Sequence, residues 1–154
     1  MELRTKVTAE DGKQDLTITR EFDLPVELLF KAHEDTEIVE QWMGTKVLKL
    51  DNKKGGSFQF ETTDPKGNKH RFNGVIHEFD RNQKITRTFE FENTPFGVQL
   101  EFLQFQRITE DTCKLTIHSI FQSGTHRDQM LQMPFRQGLN MAHNRLEEIL
   151  KNLK

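Results

Sequence analysis

Tyrosine is absent from the chain, and tryptophan and cysteine occur once each, as Trp42 and Cys113. With thirteen phenylalanines and no tyrosine, the aromatic surface is nearly free of hydroxyls. It suits a dry interior that asks for no hydrogen-bond partners, and leaves polar work there to few groups. A single cysteine excludes an internal disulfide and fits a reducing compartment. No apolar run approaches the roughly 20 residues that span a bilayer. Met1 to Gly12 is charged, without the apolar core of a secretion signal. The formal net charge of -2 makes no electrostatic case for nucleic acid or an anionic membrane. These absences point to the cytoplasm, and 154 residues suit one domain, 1–154, able to bury a real core.

What the chain does have is periodicity. Leu16, Ile18, Arg20 and Phe22 share one face of a strand starting at Asp15. Asp23 is placed to cap the helix that follows, and Pro25 sits where helix starts tolerate proline. Val26, Leu29, Phe30 and His33 recur at helical spacing. A second short helix restarts at Thr36, carries Ile38, Val39 and Trp42, and ends at Gly44. Strands follow through short polar turns: Val47–Leu50, Ser57–Thr62, Lys69–Asp80, Lys84–Glu92, Val98–Thr109 and Thr112–Phe121. That spacing predicts an antiparallel meander. Alternation puts Phe58 with Phe60, Phe72 with Gly74, Ile76 and Glu78, and Ile85 with Arg87, Phe89 and Phe91. Leu100, Phe102, Leu103 and Phe105 break the pattern, so Val98–Thr109 is either covered on both faces or bulged. An apolar stripe from Leu131 through Phe135, Leu139, Leu146 and Leu150 to Leu153 predicts a long last helix that Pro134 starts or kinks.

One strand, two short helices, about six strands and a long closing helix is the order of the helix-grip fold. Arg20 to Phe30 resembles a family opening of a strand, a proline step and a first helix. Gln41-Trp42 resembles the tryptophan before the glycine that ends the second helix. Gly55-Gly56-Ser57-Phe58-Gln59-Phe60, Phe72-Asn73-Gly74-Val75-Ile76-His77-Glu78 and Gly138 through Leu150 resemble three further family segments. On these motifs the chain, from about Asp15 to Leu153, is identified as a member of the START/Bet v 1-like (SRPBCC) superfamily, in the branch similar to activators of the heat-shock protein 90 ATPase. The resemblance implies an α+β fold in which a curved antiparallel sheet wraps the C-terminal helix. It also implies a cavity between them that often holds an apolar small molecule. Functions in the superfamily range over ligand carriage, cyclisation and chaperone activation, and fold does not choose among them.

The candidate cavity residues are Trp42, Phe58, Phe60, Phe72, Glu78, Arg87, Phe89, Phe91, Phe135, Leu139 and His143. A cation at Arg87 on an apolar face needs a partner, supplied by Glu78 or by an anionic ligand group. His143 on the leucine stripe either orients a polar ligand group, acts as acid or base with a carboxylate, or is a hydrogen-bonded core residue. Met130, Met133 and Met141 offer adaptable apolar contacts. Six histidines make no ligand-spaced pair, Gly55-Gly56 lacks the flanks of a phosphate loop, and no nucleophile motif is present, so no metal, cofactor or catalytic residue is assigned. The expected role is binding of an apolar or amphipathic small molecule by a monomer or homodimer. A protein-interaction module for a chaperone or other protein, and a cyclase- or hydrolase-like enzyme, are the alternatives.

Overall fold

Alternation carries the middle of the chain into strands, and the structure follows it closely. The computed structural model describes residues 4–153. In order, they form β1 (Lys6–Thr8), β2 (Asp15–Phe22), α1 (Val26–Glu34), α2 (Thr36–Met43), β3 (Lys46–Leu50), β4 (Ser57–Thr63), β5 (Lys69–Asp80), β6 (Lys84–Phe91), β7 (Val98–Arg107), β8 (Cys113–Ile120), α3 (Gly124–Leu131) and α4 (Phe135–Lys151). The strands make one sheet of order β1-β2-β8-β7-β6-β5-β4-β3, with every neighbouring pair antiparallel. This is the α+β helix-grip architecture, a curved sheet around a C-terminal helix.

Local chemistry sets the helix ends. Asp35 caps α2 by accepting the Ile38 N–H at 3.1 Å, and Gly44 closes it with φ of 64°, a left-handed geometry that glycine adopts without steric cost. Asp23 does not cap α1. Pro25 occupies that position, and the Asp23 carboxylate pairs with Lys151 at 3.4 Å. Pro134 starts α4 and does not kink a longer helix. Leu131 therefore ends α3, a separate helix whose Ser123 cap accepts the His126 N–H at 3.2 Å. β1 is an edge strand of three residues, too short to show alternation.

Two departures from simple alternation matter for the interior. The β5–β6 register shifts between Ile76 and Glu78. The extra residue turns Glu78 outward, where it is exposed, and brings Phe79 in against Phe30 at 5.3 Å between ring centroids. β7 is the opposite case. It runs in unbroken register with β6 and β8, with Gln99, Glu101, Leu103 and Phe105 buried on the inner face. Leu100 and Phe102 are half-buried on the outer face, Phe102 stacked on His118. Neither a bulge nor a second covering layer is needed.

Two apolar clusters fill the grip. One joins α1 and α4 to β2, β7 and β8, through Phe22, Leu29, Phe30, Leu115, Leu146 and Leu150. The other sets Val39 of α2 on Phe58, Phe60, Phe72 and Ile76 of β4 and β5.

Candidate functional site

Between those clusters the sheet and helices leave a cavity of about 290 Å³. Its floor is built by strand alternation: Leu16 and Ile18 from β2, Phe60 and Phe72 from β4 and β5, Arg87, Phe89 and Phe91 from β6, Gln99, Glu101 and Leu103 from β7, and Ile117 and Ser119 from β8. Its roof comes from His33, Val39, Trp42, Met43, Met130, Phe135, Leu139, Ala142 and His143. Phe89, Phe91, Phe135 and Leu139 are half-buried and mark the side nearest solvent.

Of the residues expected from sequence, Trp42, Phe60, Phe72, Arg87, Phe89, Phe91, Phe135, Leu139 and His143 border this space, whereas Phe58 and Glu78 do not. Phe58 lies beneath it. Its ring supports the Arg87 guanidinium from 5.1 Å, a cation–π contact. Glu78 is on the outer face because of the β5 bulge, where its carboxylate accepts from Lys84 at 2.8 Å and from the Thr86 hydroxyl at 2.7 Å. Those bonds hold its pKa below the ordinary carboxylate value. Of the methionines, Met130 borders the cavity, while Met133 and Met141 are exposed.

The partner of Arg87 is Glu101, directly across the β6–β7 ladder. Arg87 Nε donates to Glu101 Oε1 at 3.0 Å, and Gln99 Nε2 donates to Oε2, also at 3.0 Å. A buried carboxylate so held is compensated in charge and in hydrogen bonds. Among the described residues, neither Nη nitrogen of Arg87 makes a hydrogen bond. Gln99 and Glu101 were hidden in the sequence by apolar residues on both faces of β7. The signal for them was their even spacing from Leu103 and Phe105.

Trp42 is anchored by its own Nε1–H, which donates to the Ala32 carbonyl at 2.7 Å. Arg145 of α4 donates to the Trp42 carbonyl at 3.1 Å, fixing α2 against α4. Two histidines flank the indole, His33 at 5.3 Å and His143 at 6.0 Å between centroids. His33 was visible on the apolar stripe of α1 and was not singled out. Its Nδ1 lies 2.9 Å from the Leu29 carbonyl. Burial pushes its pKa down to about 4, against the raising effect of that bond, with the Arg87 charge adding to the fall. His143 Nδ1 lies 2.9 Å from the Thr5 hydroxyl. Burial, then His33 and Arg20, push it down to about 3.

Among the described residues, no carboxylate bonds to His143, whereas the cyclase- or hydrolase-like alternative expected one; the His143 ring bonds to Thr5. The nearby acid, Glu147, is committed elsewhere. It accepts from Arg4 at 2.7 Å, from Arg20 at 3.2 Å and from the Asp23 backbone N–H at 2.7 Å. Burial would raise its pKa, but these bonds and charges hold it below the ordinary value. Arg20, wholly buried, also reaches the Thr5 hydroxyl at 3.1 Å and Asn140 Oδ1 at 3.4 Å. This cluster staples α4 to β2 behind the cavity. Among the described residues no group of His, Cys, Asp or Glu side chains is arranged to hold a metal ion, and no helix is long and apolar enough to cross a membrane.

Solved structures share this architecture. A protein from Mycobacterium smegmatis is 24% identical, with a TM-score of 0.85 over 95% of this chain and 96% of its own. One from Arthrobacter aurescens is 20% identical, with a TM-score of 0.84 over 96% of this chain and 91% of its own. An HSP90 activator from Plasmodium falciparum is 23% identical, with a TM-score of 0.58 over 70% of this chain and 73% of its own. No curated protein matches the chain. The model of the family described as activator of Hsp90 ATPase homolog 1-like proteins matches residues 23–151, from the turn before α1 to the end of α4, and the chain belongs to that family.

Proposed function

We propose that this protein binds an apolar or amphipathic small molecule between the sheet and α4. The observation that carries this reading is the 290 Å³ space lined mainly by apolar side chains, with one compensated ion pair, Arg87–Glu101, set into its floor. That volume is at the lower end of small-molecule pockets. A bicyclic ligand burying roughly 250 Å² of apolar surface gains roughly 6 kcal/mol before the costs of association. Since roughly 6 kcal/mol corresponds to a Kd of about 40 μM before those costs, affinity for simple probes falls below that, into the millimolar range. A melting-curve screen with small apolar ligands tests this. Saturable stabilisation reaching about 2.7 kcal/mol at a hundredfold excess over Kd is expected. The absence of any shift across rings and chains that fit the volume contradicts it.

A second reading, a protein-interaction module, is favoured by family membership and by the fold shared with the Plasmodium falciparum HSP90 activator. It predicts that the purified protein stimulates the ATPase of an Hsp90-type chaperone. An unchanged ATPase rate at saturating protein contradicts it.

A further inference from the structure

Resting on the small-molecule reading, we infer that the ligand carries a neutral hydroxyl, bound by His33 and His143 through their Nε2 atoms. The hydrogen bonds behind each ring decide its tautomer. His33 Nδ1 faces the Leu29 carbonyl at 2.9 Å. A carbonyl only accepts, so Nδ1 carries the proton and Nε2 of the neutral ring is a bare acceptor. His143 is the reverse. Its Nδ1 faces the Thr5 hydroxyl at 2.9 Å, and the same oxygen accepts Arg20 Nη1–H at 3.1 Å. Arginine only donates, and among the described residues His143 Nδ1 is the one partner of this hydroxyl able to accept, so the hydroxyl hydrogen goes to Nδ1 and His143 Nε2 carries the proton.

The cavity is thus offered one acceptor and one donor from two rings that both lie against Trp42, at 5.3 and 6.0 Å between centroids. Both rings border the space, both are at least nine-tenths buried, and among the described residues neither Nε2 has a hydrogen-bond partner. The indole N–H is already used on Ala32 and does not compete. A hydroxyl has one hydrogen to donate and lone pairs to accept with, so it satisfies both rings. A carboxylate does not. It has no hydrogen for His33 Nε2, and Glu101 already neutralises Arg87, so a second anion would leave uncompensated charge in a poorly solvated space.

Calorimetric titration at pH 7 with naphthalene, 2-naphthol and 2-naphthoate tests the inference. These probes share one apolar body and differ in the polar group. We expect 2-naphthol to bind about tenfold tighter than naphthalene, and 2-naphthoate more weakly than 2-naphthol. In His33→Phe the advantage of 2-naphthol over naphthalene should largely vanish. Nitrogen NMR of the unaltered protein gives a readout that needs no variant to fold. His33 should be protonated on Nδ1 and His143 on Nε2, and 2-naphthol should move the His33 Nε2 resonance upfield as it becomes hydrogen-bonded. Equal binding of naphthalene and 2-naphthol, tightest binding of 2-naphthoate, or the opposite tautomers would overturn the histidine site while leaving an apolar cavity intact. Failure of all three probes to bind would overturn both readings.

Discussion

The fold strongly changes the chemistry of His33 and His143. In the unfolded chain each takes up a proton near the ordinary value of 6.5, whereas in the fold burial delays this to about 4 and about 3. Between those limits the unfolded state holds more protons, so stability falls as pH drops below about 6.5. From pH 7 to pH 5 the two rings together should remove about 4 kcal/mol. Glu147, with its lowered pKa, acts in the same direction only below its unfolded value of 4.5, outside that window. Urea unfolding at the two pH values measures the difference, and equal stabilities would refute buried neutral rings. Cys113 makes a parallel case. It has no exposed surface, and burial, the larger cause beside Glu147 and Glu27, pushes its thiol up to about 12. A thiol reagent should label it only as fast as the protein unfolds. Stoichiometric labelling of the native protein within minutes would contradict this.

At the scale of elements, close approach and buried charge govern. Gly74 of β5 lies opposite Phe58 of β4. A Cβ there would sit 1.9 Å from the Thr88 carbonyl oxygen and 2.7 Å from the Phe58 ring. Backbone cannot yield cheaply, so Gly74→Ala should cost about 3 kcal/mol in chemical denaturation, and an unchanged midpoint would show the strands less tightly paired. Glu147→Ala should cost about 3–5 kcal/mol, because it strands the buried Arg20 without its counter-charge. A loss below 1 kcal/mol would mean that the bonds of Thr5 and Asn140 hold Arg20 and α4 without it. These same features bound what sequence alone could reveal. Polar turns and apolar residues located the strands from β2 to β8, with period-two alternation clear in β2, β4, β6 and β8 because one face of each meets the core, absent in the short β3 and masked in β7. Alternation misplaced Glu78 because the single extra residue of the β5 bulge reverses the faces beyond it. It overlooked Gln99 and Glu101 because Leu100 and Phe102 on the outer face of β7 masked the inner register. The grouping of Arg20, Thr5, Asn140 and Glu147 joins residues more than 100 positions apart, and no local pattern encodes such a meeting.

For the molecule as a whole, the question is why a sheet so rich in phenylalanine closes on α4 without filling the space between. The rings of Phe60, Phe72, Phe89 and Phe91 pack on one another at 4.9 to 5.8 Å, forming a continuous aromatic wall on the sheet. That wall can border a cavity, and α4 faces it with Phe135, Leu139 and His143 and, between the last two, the small Ala142. Ala142→Trp should fill the space from the helix side. The direct measurement is calorimetric titration of 2-naphthol into the unaltered protein and into Ala142→Trp, with the melting temperature of each recorded beforehand. One saturable site in the unaltered protein, lost in a variant that melts no lower, is the predicted result. Undiminished binding to the filled variant, or none to either protein, would contradict the cavity as the seat of function.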